Sequence, residues 1–182
     1  MKICVTGGLG FIGKYLVSNL IKQGHNVLII DVRTDKIPKG ADLQIVDISN
    51  FDDVVHALSD IDVVYHLAGT VLNTARKNPR LVALLDIYGT ANVLEACVRN
   101  NIQKIIYASS FYVYDGLSAD SEVNEEEKSN IFRAEMFGVG KLVGERLILE
   151  YSHKYGLNYV ILRYGPVYGP SDRCTCVVYD FI

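Results

Sequence analysis

With 182 residues, 49% of them hydrophobic and 21% charged, the chain has the composition of one globular domain with a sizeable core. A formal net charge of −3, with no basic patch interleaved with aromatics, argues against a nucleic-acid surface. The opening segment is broken by Lys2, Gly7, Gly8 and Gly10, so neither a signal peptide nor a membrane span is expected there. No other apolar run is expected to reach membrane length.

In chain order, Lys2 to Val5 reads as a strand and Phe11 to Lys22 as an amphipathic helix. Val27 to Asp31 and Leu43 to Val46 follow as strands. Phe51 to Leu58 reads as a helix with Ser49 as its N-cap. Asp62 to Leu67 is a strand rich in β-branched and aromatic residues. Leu81 to Asn100 has helical spacing, with Pro79 just ahead of it, and Lys104 to Ala108 is again a strand. Arg133 to Lys154 is a long helix closed by Gly156 as its C-cap, and Tyr159 to Leu162 is a sixth strand. Strands alternating with helices predict a doubly wound α/β fold, its parallel sheet covered on both faces. The polar stretch Leu117 to Asn130 reads as a solvated loop, and Val177 to Ile182 as the start of a further element.

Three glycines, Gly7, Gly10 and Gly13, sit between the first strand and the first helix. Such a turn brings the backbone close to a pyrophosphate at a helix N-terminus, where free N–H groups and the helix dipole favour the anion. Gly7 makes the turn, Gly10 clears the ligand's path and Gly13 lets helix pack on strand. Asp31 closes the second strand, where a carboxylate accepts hydrogen bonds from a ribose and repels a 2′-phosphate, so NAD is expected over NADP. Arg33, two residues on, works in the other direction. Asp47 and Ile48 follow the third strand, where they could meet an adenine or simply end the strand.

These residues carry a resemblance. Thr6 to Gly13 resembles the T-G-x-x-G-x-x-G fingerprint of the extended short-chain dehydrogenases/reductases, the NAD-dependent epimerase/dehydratase group. His66-Leu67-Ala68-Gly69 is similar to that family's H-L-A-A, and Gly89 to Ala96 to its G-T-x-N-V-L-E-A helix. Ser109 to Tyr114 is similar to S-S-x-x-V-Y, and Arg163 to Pro170 to R-x-x-N-V-Y-G-P. The resemblance implies a Rossmann domain with strand order 3-2-1-4-5-6. It implies NAD as cofactor, a nucleotide sugar as substrate and hydride transfer between the two. It implies a homodimer through helices 81–100 and 133–154 and leans toward an enzyme, while the cysteine usage makes a reduced, cytoplasmic protein with no metal the default. Position by position, Ser110 matches the family's catalytic Ser/Thr, and Lys141 the lysine that binds the nicotinamide ribose. Gly7, Gly10, Phe11, Ile12, Gly13, Asp31, Arg33, Asp47, Ile48, Leu67 and Ala68 fall at cofactor-contacting positions.

The pattern breaks at Phe137. The family's acid/base is a tyrosine four residues before the lysine, and here that position carries a ring without a hydroxyl. Loss of one general acid/base typically costs about 10²- to 10⁴-fold in rate. Three explanations stay open: an engineered exchange, another phenol such as Tyr112 or Tyr114 taking the role, or a non-catalytic NAD-binding member. Asp86 stands where the family has asparagine, Asp115 where it has glycine, and Pro166 where many members have asparagine. Phe111 and Tyr112 replace the acidic pair of 4,6-dehydratases. Residues 1–170 are expected to form the dinucleotide-binding domain, with 171–182 beginning a C-terminal substrate region that the chain lacks.

The remaining candidates have plainer readings. His25, His56 and His153 fall at turns or helix ends, and His66 is expected to be structural. Cys4 and Cys97 read as buried thiols, while Cys174 and Cys176 form a lone C-x-C that is poor evidence for zinc.

Overall fold

In the computed structural model, residues 1–34, 36–115, 117, 124–125, 131–132 and 134–170 are described. Expectations for residues 171–182, including Cys174 and Cys176, and for most of the 117–130 loop lie outside them. Six parallel strands form the sheet: β1 (Lys2–Thr6), β2 (Asn26–Asp31), β3 (Ala41–Ile45), β4 (Val63–His66), β5 (Lys104–Ser110) and β6 (Asn158–Tyr164). Their order is β3-β2-β1-β4-β5-β6, as expected from the motifs. Thr6 pairs with Ile30 of β2 and with His66 of β4, so the chain reverses its direction across the sheet at β1.

That reversal decides which face each helix covers. Parallel crossovers are right-handed, so connections running in opposite directions along the sheet lie on opposite faces. Helix α1 (Phe11–Lys22) packs Val17 and Leu20 on one face, against Ile3, Val5, Val27 and Ile29. Helices α2 (Phe51–Ala57), α4 (Pro79–Arg99) and α5 (Met136–Tyr155) share the other, against Cys4, Ile30, Val64 and Ile105. Alternate residues of β1 enter opposite cores, as the two-residue period of a strand requires. Coverage is unequal: among the described residues α1 is the helix packed on its face. Across β4, β5 and β6 the row Tyr65, Ile106 and Val160 stays partly open there.

Several boundaries differ from those read in the sequence. Helix α2 is capped at Asn50, not Ser49, because the Ser49 N–H and hydroxyl both donate to Asp47 Oδ1, at 2.9 and 2.8 Å, and form the preceding turn. A short helix α3 (Leu72–Lys77) was not anticipated. Helix α4 starts at Pro79, winds as a π-helix over Val82–Gly89 and continues as α-helix through Thr90–Arg99. At 21 residues it is, by length and composition, apolar enough to cross a membrane, against expectation. Half of its apolar window is buried in the fold, so packing on the sheet accounts for the composition. Helix α5 starts at Met136, Arg133 lying outside the described residues, and ends at Gly156 in the left-handed conformation (φ 71°).

The core beneath α5 is tight. Tyr107, fully buried on β5, packs under Gly144, where an added Cβ would collide with the phenol oxygen and lie 2.8 Å from Cζ. Burial pushes the Cys97 thiol up to about 12 and raises Cys4 as well, so both stay protonated core residues. Because Tyr107 has nowhere to move, Gly144→Ala is expected to lower unfolding free energy by about 1–3 kcal/mol in a denaturant titration. Gly165→Ala, whose Cβ meets nothing within 4 Å, is expected to stay within about 0.5 kcal/mol of the parent. Equal stability of the two variants would contradict this packing.

Candidate active site

Where the sheet reverses, the connections that follow β1 and β4 leave toward opposite faces, and a cleft of about 790 Å³ lies at the carboxyl edge. One wall is the β1–α1 turn. Gly7 adopts φ +68°, and a Cβ there would stand 2.8 Å from the Ala68 nitrogen, so only glycine fits between the two strand ends. Gly13 lies so close to Gly7 and Gly8 that a Cβ would reach 2.7 Å from the Gly8 α-carbon. The first N–H groups of α1 have no intrahelical acceptor, and no side chain caps them at Gly10. The spacing of the glycines makes this turn and leaves the start of α1 open toward the cleft.

The next wall is the end of β2. Asp31 is nearly buried and accepts from Leu9 N at 3.0 Å, which ties the glycine turn to β2. Arg33 closes on the same carboxylate through Nε and Nη2, each at 3.1 Å. The arginine is thus drawn onto the acid. Beyond it, Asp47 lines the cleft while also accepting from Ser49, and Ile48 is held by Asn92 Nδ2, which donates to its carbonyl at 2.9 Å.

The far wall is built by β5 and α5. Ser110 ends β5, nearly buried, and its Oγ accepts from Tyr112 N at 3.3 Å. Lys141 and Phe137 project one turn apart from α5, with Lys141 Nζ 5.9 Å from the Phe137 ring centroid. Gly138 and Gly140 let α5 approach its neighbours: a Cβ at Gly140 would lie 2.5 Å from Val82 and 3.1 Å from Asp86. Gly7, Gly10, Gly13, Asp31, Arg33, Asp47, Ile48, Leu67, Ala68, Ser110, Phe137 and Lys141 all line this one cleft. Phe11 and Ile12 line it too.

Neither Tyr112 nor Tyr114 lines the cleft among the described residues. Tyr112 packs edge-on against Phe137 at 5.6 Å, and the Tyr114 hydroxyl accepts from Arg163 Nη1 at 2.7 Å. Arg163 also grips Glu145 at 3.0 and 2.7 Å, and Ser109 Oγ donates to the same carboxylate at 2.5 Å, so β5, β6 and α5 are locked behind Ser110. Tyr164 lines the cleft, and burial raises its phenol, with nearby Tyr65 adding to the effect. The Gly165–Pro170 segment returns over α1, where the Tyr15 hydroxyl donates to Pro170 O at 2.5 Å. Sequence reading missed Thr70, Tyr164 and the buried partner of Lys141. That partner is Asp86, with Oδ1 3.3 Å from Nζ. In the sequence Asp86 stands out only as a departure from the motif, and no spacing rule connects residues 86 and 141.

The fold and cleft define a dinucleotide-binding Rossmann domain. The chain belongs to the NAD-dependent epimerase/dehydratase family, whose model matches residues 3–179. A protein of Methanocaldococcus jannaschii, provisionally named UDP-glucose 4-epimerase, is 35% identical over 173 residues, covering 92% of this chain and 56% of its own length. The UDP-glucose 4-epimerase of Thermus thermophilus, solved in complex with NAD, superposes with a TM-score of 0.85 at 29% identity, over 93% of this chain and 57% of that one. The UDP-glucuronic acid 4-epimerase of Bacillus cereus, solved with UDP-glucuronic acid and NAD, does so with a TM-score of 0.81 at 34% identity, over 93% and 58%. The chain therefore spans rather more than half the length of the relatives it matches.

His66, at the end of β4, is fully buried and does not line the cleft. Its Nδ1 pairs with Thr6 Oγ1 at 2.7 Å and its Nε2 with Thr90 Oγ1 at 3.1 Å, so β4 is stitched to β1 and α4. Burial, with the Lys141 charge adding to it, pulls the imidazole down to about 3 from an ordinary 6.5, so it is neutral at working pH. Between these two values the unfolded chain binds a proton that the native chain refuses, so stability is lost as pH falls below 6.5. By pH ~5 the loss on this account is about 2 kcal/mol. Urea unfolding at several pH values is expected to show it, and His66→Gln to flatten the profile between pH ~6.5 and ~5. Parallel profiles would refute the assignment.

Proposed function

We propose that the chain is a NAD(H)-binding member of its family that keeps the cofactor half of a nucleotide-sugar site and has lost the proton-transferring group. One observation carries the reading: the ring that faces Lys141 across one helical turn is the phenyl of Phe137, the phenols of Tyr112 and Tyr114 lie outside the cleft, and the phenol that does line it, Tyr164, stands on β6 and not one helical turn from Lys141. NAD, when bound, supplies hydride acceptance and donation at its nicotinamide. The residues fit it well. The glycine turn and the first turn of α1 would take the pyrophosphate, and Asp31 a ribose hydroxyl pair, while Ser110 and Lys141 would meet the other nucleoside at the far wall. Phenylalanine holds no proton to give or take, so a carbinol placed beside Ser110 would have no base of the family's kind.

A second reading, hydride transfer to and from a nucleotide sugar, is favoured by Ser110 and Lys141, both retained in the cleft. The full activity, the sugar and any partner belong to this proposal. So do a cytoplasmic location and pairing of two copies through α4 and α5, whose outer faces keep Leu84, Tyr88 and Leu149 exposed.

Calorimetric titration separates the readings. NAD⁺ and NADH are expected to bind, and Asp31→Ala to weaken both by about tenfold or more, as befits loss of charged hydrogen bonds. Incubation with NAD⁺ and UDP-sugars is expected to yield no epimerised sugar when the products are separated by chromatography, and Phe137→Tyr to leave cofactor affinity within a few-fold of the parent. Turnover by the parent chain would replace this reading with the second, and absence of any nucleotide binding would end both.

A further inference from the structure

Asp86 has no place in the reading so far, yet it is a buried acid with both carboxylate oxygens met. It lies in the π-helical stretch of α4, its side chain fully buried. Thr70 N donates to both carboxylate oxygens at 3.2 Å, and the Thr70 hydroxyl donates to Oδ2 at 2.5 Å. A buried carboxylate persists only where its charge is met and its lone pairs are satisfied. Here the cation is Lys141, 3.3 Å away with its own side chain 7% exposed. The other groups facing the ammonium carry no charge to compete: the Tyr107 ring at 5.3 Å, the Phe137 ring at 5.9 Å and the neutral imidazole of His66. Gly69, between β4 and Thr70, leaves room for the pair, since a Cβ there would sit 2.5 Å from Asp86 Oδ1 and 3.3 Å from Nζ.

Asp86 stands behind Lys141 and does not itself line the cleft. Its three bonds to Thr70 keep it there, so it stays on the lysine's inner side. Lys141 accordingly presents a compensated charge to the cleft wall. A dinucleotide laid across the strand reversal, with one nucleoside at Asp31 and its pyrophosphate at α1, brings its second base to the wall of Ser110, Phe137 and Lys141. A nicotinamide base is cationic when oxidised and neutral when reduced. An uncompensated ammonium beside it would disfavour the oxidised form, whereas a paired one does not.

We propose that Asp86 is a specificity-determining residue of the cleft: by cancelling the charge of Lys141 it tilts cofactor binding toward the oxidised, cationic nicotinamide. The proposal rests on the reading that the cleft takes NAD(H). It concerns the choice between the two redox states of the cofactor and stands apart from the missing phenol at position 137.

Dissociation constants for NAD⁺ and NADH, measured on the whole chain for the parent, Asp86→Asn and the double variant Asp86→Asn/Lys141→Met, test it. Asp86→Asn is expected to move the NAD⁺/NADH preference about tenfold toward NADH, the scale of one unit charge screened by an effective dielectric of ~20–30. Adding Lys141→Met removes the uncompensated charge and is expected to return the preference to within about twofold of the parent. Loss of structure would weaken both nucleotides together and produce no such shift and return. Should Asp86→Asn fail to fold, Asp86→Ser, which keeps a hydroxyl for Thr70, takes its place in both variants. A ratio within twofold of the parent without Asp86, or a shift that survives removal of Lys141, overturns the role of Asp86 while leaving NAD(H) binding intact. A parent chain that binds neither nucleotide overturns the cleft reading, and this inference with it.

Discussion

The handedness of the crossover between parallel strands is the constraint on which this molecule rests. From β1 the chain steps one way to β2 and β3, then returns past β1 to β4, β5 and β6. A right-handed connection in each direction must put α1 on one face and α2, α4 and α5 on the other. The cleft is a by-product of that geometry. Connections that leave the strands toward opposite faces on either side of β1 leave a gap at the carboxyl edge. The glycine turn, Asp31 and Ser110 come from β1, β2 and β5, yet all line the gap because each follows or ends a strand at that edge.

The same geometry explains how so many polar groups are buried here with partners. His66 is flanked by two threonines, Asp86 by Thr70 and Lys141, and Glu145 by Ser109 and Arg163. Each set bridges elements that are far apart in sequence, so each buried group is satisfied only when the strands and helices have docked. Removal of one partner would leave the other buried and unmet, which is costlier than never having had the pair. These networks therefore make the wall behind Ser110 and Lys141 stiff. A stiff wall suits a site that discriminates between two forms of one ligand by charge.

The ring at position 137 is held by packing. Phe137 packs edge-on against Tyr112, and Gly138 lets α5 pass close to the Tyr112 backbone. The contacts that place this ring are apolar, so its position does not depend on a hydroxyl.

Local patterns in the sequence determined much of this. The glycine spacing, the acid ending β2, the apolar runs of the strands and the period of α5 each depend on neighbours a few residues apart, and each was legible. The helical position of Phe137 relative to Lys141 was legible for the same reason, because residues four apart share a helical face. Only the tertiary structure decided the rest. The π winding of α4 and the cap at Asn50 depend on what the surrounding elements demand of the backbone. The open row of Tyr65, Ile106 and Val160 depends on which helices the chain places on that face. The pairing of Asp86 with Lys141 joins residues from two helices that meet only because Gly140 has no side chain to hold them apart. Sequence periodicity describes a residue's own element, whereas a buried charge is defined by what a different element brings to it.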